Sequence, residues 1–266
     1  IKMKQMHILQ SAFCLFLLAS FIYSHSADKR IQYNAGVEKV KILSYNIRNA
    51  RGTDDVTDYD RVAGVINRVA PNCVAVQELD SATMRSNGDI VLDEIARRTK
   101  MYAVFNASIE YDGGKYGIGI LTKEKPIKKE AIPLPGREEE RSMLLVETDH
   151  YVICCTHWSL TREDRMASVE LINELAAKYT DKPVFLAGDL NAVPNDREIQ
   201  ELKLTWEVLN NEKEYTCPSV HPTKCIDYIL IKKDFPYPYR VLKSKVEVEP
   251  LASDHSPVWV EIGFHK

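Results

Sequence analysis

Residues 117–134, GIGILTKEKPIKKEAIPL, carry two apolar runs separated by a short charged stretch. A parallel crossover needs a dozen or more residues and usually a helix. So short a connection implies antiparallel or mixed pairing and excludes a strictly alternating βαβ winding. The charged centre, KEKPIKKE at 123–130, then reads as a solvated turn or a sheet edge, not a nucleic-acid patch.

Working outward, strand-like apolar runs occur at 39–47, 73–79, 102–109, 117–123, 142–148, 151–158, 183–190, 225–231 and 256–264. Helical patterns appear at 60–70, 89–99 and, most clearly, 162–179. In the last, Met166, Val169, Leu171, Ile172, Leu175 and Ala176 recur at helical spacing as a core-facing stripe. Arg165 falls beside that stripe and reads as a solvated helix charge. Many strands and few helices suggest two packed sheets with helices on their outer faces.

The chain has 266 residues, 45% of them hydrophobic, enough for a sizeable core. No repeat, low-complexity tract or Gly/Ser-rich linker interrupts 37–264, so residues 27–266 read as a single domain. Residues 1–26 resemble a secretory signal peptide: Lys2 and Lys4, an apolar run over 8–23, then Ser24 and Ser26 before a cut. That run is short for a membrane span. The expectation is an exported protein, periplasmic or extracellular, monomeric and without a stable span. Losing 1–26 removes two lysines and no acids, taking the formal charge from −3 to −5. Such a balance lacks the overall basic footprint of many nucleic-acid binders, so nucleic acid is not the favoured partner. Five cysteines then remain, an odd number. Cys73, Cys154 and Cys155 lie in apolar runs and read as buried side chains. Cys217 and Cys225 flank PSVHPTK and are a candidate disulfide. A zinc site from these cysteines and His221 lacks the usual paired spacing.

The apolar runs share one feature: polar residues at or near their ends. ILSYN delivers Asn46, followed by Arg48; CVAVQE delivers Glu78; YVICCTH delivers His157; VFLAGDLN delivers Asp189 and Asn191. TKCIDYILI carries Asp227, and LASDHSPVWV carries Asp254 and His255 before its strand. Taken singly, each has a structural reading as a strand-end acid, a turn cap or a satisfied core histidine. Charged groups seldom survive burial without partners, so their recurrence points to one shared cleft.

In order along the chain, SYNIR, VAVQELD, YGIGIL, CTHWSL, AGDLNAVPN, IDYIL and SDHSPVW resemble the signature of the endonuclease/exonuclease/phosphatase superfamily, the deoxyribonuclease I-like group. The resemblance runs from about residue 39 to 263. In style it is nearest to compact exported bacterial members. It implies a four-layer α/β/β/α sandwich of two mixed, mainly antiparallel sheets, and metal-dependent hydrolysis of a phosphoester. Glu78, Asn46 and Asp254 match metal-binding positions, for Mg²⁺ or Mn²⁺. His255 matches the general base or phosphate stabiliser and Asp227 the acid that orients it. Asp189 and Asn191 match the pair that positions water and the scissile phosphate, and His157 a phosphate-contacting position. Arg48, Tyr116 and Arg141 are candidates for substrate contact, Arg141 equally for a structural ion pair.

These residue types suit that chemistry. A hard cation held by few carboxylates can neutralise charge building on phosphoryl oxygens. A His paired with an Asp has its tautomer fixed and can take a proton near neutral pH. The expected activity is phosphodiesterase or phosphomonoesterase on a small or lipid-linked phosphoester, with a non-specific nuclease as the alternative and a non-catalytic binding module a more distant one.

Overall fold

The computed structural model describes residues 39–264. The candidate signal segment at 1–26 lies outside the described residues. Twelve strands form two six-stranded sheets. In chain order they are β1 (Lys39–Asn46), β2 (Cys73–Ser81), β3 (Tyr102–Tyr111), β4 (Gly114–Thr122), β5 (Lys128–Leu134), β6 (Arg141–Glu147), β7 (Val152–His157), β8 (Val184–Asp189), β9 (Trp206–Val208), β10 (Asp227–Lys232), β11 (Tyr239–Val246) and β12 (Val258–Phe264). The helices are α1 (Tyr59–Val69), α2 (Val91–Thr99), α3 (Arg162–Ala176) and α4 (Arg197–Thr205). One sheet runs β11-β12-β1-β2-β4-β3, the other β5-β6-β7-β8-β10-β9. In each, a single parallel pair sits among antiparallel neighbours: β1 with β2, joined through α1, and β7 with β8, joined through α3.

Alternation along the strands builds the four layers. On the first sheet, Leu43, Tyr45, Val74 and Val76 pack with Val62 and Ile66 of α1 and Leu92 and Ile95 of α2. On the second, Cys154, Leu186, Tyr228 and Leu230 pack with Ile172 and Leu175 of α3 and Ile199 and Leu202 of α4. The intervening residues point the other way and bring the sheets face to face, where Gln77 Nε2 reaches Cys155 Sγ at 3.3 Å. Central strands buried on both faces explain the near-unbroken apolar runs. The expected α/β/β/α sandwich is the observed fold.

Several local expectations need correction. The two runs of 117–134 do not pair: β4 belongs to the first sheet and β5 to the second, so the short connection carries the chain between sheets. Antiparallel pairing does dominate, but β4 pairs with β2 and β3, and β5 with β6. Its charges lie on the turn and on the start of edge strand β5, where they deter edge-to-edge pairing. Arg165 is buried, 8% exposed, and its Nε meets the fully buried Glu198 of α4 at 2.5 Å. Cys217 and Cys225 are both free thiols. Backbone pairing sets Cys217 opposite Lys224, and the Cys225 sulfur turns to the Asp227 carbonyl instead. Strands β9 and β11 and helix α4 are additions to the sequence expectation; no described helix is long and apolar enough to cross a membrane.

Candidate active site

The polar strand ends converge where the two parallel pairs finish. Asp189 closes β8. Its partner across the parallel pair is His157, and across the antiparallel pair it is Asp227, so three candidate side chains form a row over adjacent strands. All three are buried. From the opposite sheet, Asn46 closes β1 and its Nδ2 lies 2.9 Å from Glu78 Oε1 and 3.2 Å from Asp189 Oδ2. One amide thus ties a carboxylate of each sheet. Glu78 reaches this point because β2 bulges between Val76 and Leu79, with Glu78 in the left-handed region at φ +59°. The chain leaves β1 through three successive left-handed residues, Arg48, Asn49 and Ala50. Such conformations cost about 1–2 kcal/mol per residue and concentrate at functional sites.

Asp189 Oδ2 is the hub. Beside Asn46 it has His157 Nε2 at 3.5 Å and His255 Nε2 at 3.6 Å. Its Oδ1 accepts the Asn191 backbone N–H at 2.9 Å, and Asn191, at φ +48°, donates its own amide to the Trp158 carbonyl. This turn orients the Asp189 carboxylate. His255 Nδ1 lies 2.9 Å from Asp227 Oδ2. A carboxylate accepts, so Nδ1 carries a proton and Nε2 faces Asp189. Burial pulls the His255 imidazolium down, but Asp227 and Asp189, with the Asp227 hydrogen bond and a Cys217 contact, hold its pKa well above the usual histidine value.

The second imidazole is poised differently. Arg141 Nη1 lies 3.2 Å from His157 Nδ1. A guanidinium can only donate, so Nδ1 is the acceptor and Nε2 bears the hydrogen that faces Asp189. Burial first, then the Arg141 and His255 charges, push the His157 pKa down to about 4 against the pull of Asp189. His157 is therefore a neutral donor at pH 7, while His255 is cationic. Arg141 is itself buried and also meets Glu139 at 2.9 Å. It is both ion-paired and a neighbour of the site.

The remaining expected residues frame the cluster. Asp254 is half-buried; the Ser253 hydroxyl, which bonds the Asn46 carbonyl at 2.8 Å, also reaches Asp254 Oδ1 at 3.3 Å. Arg48 donates its backbone N–H to Asn46 Oδ1, but its guanidinium turns to the Gly52 carbonyl and Asp55. Tyr116 is half-buried, and burial with the Glu78 and Glu139 carboxylates drives its phenol pKa well up, keeping it a donor. Ser253 and Thr216 were not legible beforehand. The Thr216 hydroxyl holds the backbone N–H groups of Ile226 and Asp227, and no motif marks it. Ser253 at least adjoins the Asp254-His255 pair.

The charge balance fits a hard divalent cation. Burial raises the Glu78 pKa, the Asn46 hydrogen bond opposes this, and the Asp254 and Asp189 charges raise it further. Asp227 Oδ1 is buried with no hydrogen-bond partner. Among the described residues, Asp189, Asp227 and His255 place ligand atoms within 4.8 Å of one another, and no cysteine joins them. That trio differs from Glu78, Asn46 and Asp254, and its His255 Nδ1 is already engaged by Asp227. Oxygen-rich donors of this kind suit Mg²⁺ or Mn²⁺ better than a thiolate-seeking metal.

The profile of the Endonuclease/Exonuclease/phosphatase family matches residues 43–255, from β1 to His255. The chain belongs to that family. No curated protein matches it in sequence. Among solved structures, the endonuclease/exonuclease/phosphatase of Bacteroides vulgatus is 16% identical with a TM-score of 0.70, over 85% of this chain and 99% of its own. The mannosyl-6-phosphatase of Bacteroides thetaiotaomicron is 17% identical with a TM-score of 0.67, over 85% and 100%. TDP2 of D. rerio, complexed with a single-strand DNA product, is 18% identical with a TM-score of 0.66, over 85% and 99%. At these identities the likeness is one of fold.

Proposed function

We propose that the protein is a divalent-metal-dependent phosphoesterase that hydrolyses a small or lipid-linked phosphoester by attack of water. The observation that carries this reading is the Asp189 carboxylate, shared among the Asn46 amide, His157 Nε2 and the Nε2 of His255, whose Nδ1 is locked by Asp227. When bound at Glu78, Asn46 and Asp254, Mg²⁺ or Mn²⁺ supplies charge neutralisation on the phosphoryl oxygens. The chain's residues do the rest. Asp189, oriented by the Asn191 turn, aligns water; His157 donates Nε2–H to a phosphoryl oxygen; His255 and Asp227 stabilise the developing charge. Asp189 takes a proton from the water as the water oxygen bonds phosphorus and the P–O bond to the alcohol breaks. His255 Nε2–H gives the departing oxygen its proton, and Asp189 then returns a proton to His255. Family membership supports the reaction class, and similar folds occur in a phosphatase and in a protein holding a DNA product.

The test is an assay on bis-p-nitrophenyl phosphate, p-nitrophenyl phosphate, sphingomyelin and plasmid DNA with Mg²⁺, Mn²⁺ or EDTA. Turnover of a p-nitrophenyl ester, lost in EDTA and in Asp189→Ala and His255→Ala, is the expected result. Plasmid nicking in preference to the small esters would favour the nuclease reading. No turnover of any substrate with either metal would overturn the enzyme.

A further inference from the structure

Beside the site, a groove of about 520 Å³ lies where edge strand β3 of one sheet faces β5 and β6 of the other. That volume is within the range of ligand pockets, roughly 300–1,000 Å³. Arg141 belongs to both places: it lines the groove, and its guanidinium meets the His157 ring at 3.2 Å. The pairing of Leu134 with Arg141 sets this groove at the end of the sheet where His157 emerges. Gly136 makes the wall close-packed, since a Cβ there would stand 1.9 Å from the Glu139 carbonyl oxygen and 2.9 Å from Arg141 Cγ.

The lining has a mixed chemistry. Asn106, Ser108 and Ser142 form a polar row, with Asn106 Nδ2 3.0 Å from Ser142 Oγ and the two hydroxyls 2.8 Å apart. Ser108 is set there by the register shift between Ala107 and Ile109. Such groups both donate and accept hydrogen bonds. Around them lie prolines, alanines and other aliphatic side chains, Pro133 among them. Among the described lining residues there is no aromatic ring on which a base could stack and no lysine to track a polyanion. The aromatic pair nearby, Tyr111 and Tyr116, lies outside the groove lining and is engaged by Arg85, 4.4 and 5.5 Å from the ring centres and anchored on the buried Asp80. The bonds within the polar row leave it with spare donor and acceptor capacity, which an acyl chain could not use. C–H surface alternating with hydroxyls is what a sugar presents.

We propose that this groove receives the alcohol part of the phosphoester and selects a hydroxyl-rich group, a sugar or polyol, a reading that rests on the phosphoesterase function proposed above. Arg141 then marks the junction between the phosphate and its alcohol. With Mg²⁺ present, glucose 6-phosphate and inorganic phosphate are compared as inhibitors of whichever p-nitrophenyl ester the protein hydrolyses. The expected Ki of glucose 6-phosphate is at least about tenfold lower, since each neutral hydrogen bond to the sugar contributes about two- to tenfold. Ser108→Trp, which fills the groove, raises that Ki at least about tenfold and leaves the Ki of inorganic phosphate within about twofold. Where Ser108→Trp fails to fold, Ser108→Ala decides, with an expected rise of about two- to tenfold for the sugar phosphate alone. Equal inhibition by both anions, or a shift common to both in the variant, overturns the groove while the phosphoesterase stands. Absence of p-nitrophenyl ester turnover overturns both.

Discussion

Removing the guanidinium of Arg165 tests whether this helix charge is part of the interior. Glu198 is fully buried, and Arg165 Nε meets its Oε1 at 2.5 Å, with Arg162 Nε only at 3.5 Å from the other oxygen. Arg165→Met keeps the apolar stem and strands the carboxylate. Breaking a buried pair from one side costs about 3–5 kcal/mol, a large part of a total stability of about 5–15 kcal/mol. Arg165 Nη1 also serves the carbonyls of Leu160 at 2.8 Å and Ser159 at 3.3 Å, in the loop that follows Trp158. The double variant Arg165→Met/Glu198→Leu no longer buries an orphan charge and recovers at least about 2 kcal/mol of the single variant's loss. It stays below wild type by about 1 kcal/mol for each carbonyl left without its donor. Equilibrium urea unfolding followed by circular dichroism measures all four members of the cycle. A cost below about 1 kcal/mol for Arg165→Met, the size expected of a surface substitution, would show a solvated charge and refute the buried pair. Additive single losses in the double variant would do the same.

The His157 ring gives stability a specific pH dependence. Its folded pKa, pushed down to about 4, lies below the ordinary 6.5, so beneath pH 6.5 the unfolded chain takes a proton that the folded chain refuses. Its contribution is full above pH 6.5 and falls by about 3 kcal/mol as pH drops to about 4, at about 1.4 kcal/mol per pH unit. Unfolding free energies of wild type and His157→Gln between pH 4 and 7 check this; parallel curves would show that His157 is not held neutral. Asp227→Asn keeps the shape but removes the charge that holds His255 as an imidazolium. Turnover should fall about 10²–10⁴-fold and the His255 pKa should drop, followed by NMR of the ring; an unchanged pKa would dissociate Asp227 from His255.

The layers were legible because the central strands are buried on both faces, and burial writes long apolar runs into the sequence. The edges were not. Strand β11, YRVLKSKV, is largely half-exposed or exposed and carries three cations, so its pattern resembles a loop. Strand β9 is three residues long and exists by pairing with β10. Arg165 deceives for a different reason: its partner Glu198 lies 33 residues on, in a nine-residue helix whose own apolar pattern is short. The Cys217–Cys225 expectation failed on direction, which a spacing does not contain. Asn46, Glu78, His157, Asp189 and Asp227, by contrast, were visible as polar residues in apolar runs. What remained hidden was which atom of each would face which partner, and so which histidine would be neutral.

No repeat is visible in the residues, yet the two sheets repeat one connectivity. Strands β1, β2, β3 and β4 follow the same path as β7, β8, β9 and β10, with α1 and α2 answering to α3 and α4; β12, the last strand, lies beside β1 as β6 lies beside β7. Each half contributes a parallel pair, and parallel strand ends are where α/β sheets gather ligands. Asn46 and His157 close the first strand of each pair; on the second, Asp189 closes β8 and Glu78 stands at the β2 bulge, just past the last residue paired with β1. The halves differ where chemistry would require it. The β2 bulge holds Glu78 half-buried, open to a cation, whereas the regular end of β8 buries Asp189 between two imidazoles. The Asn46 amide, bonded to both carboxylates, is the contact through which two similar scaffolds become one asymmetric site.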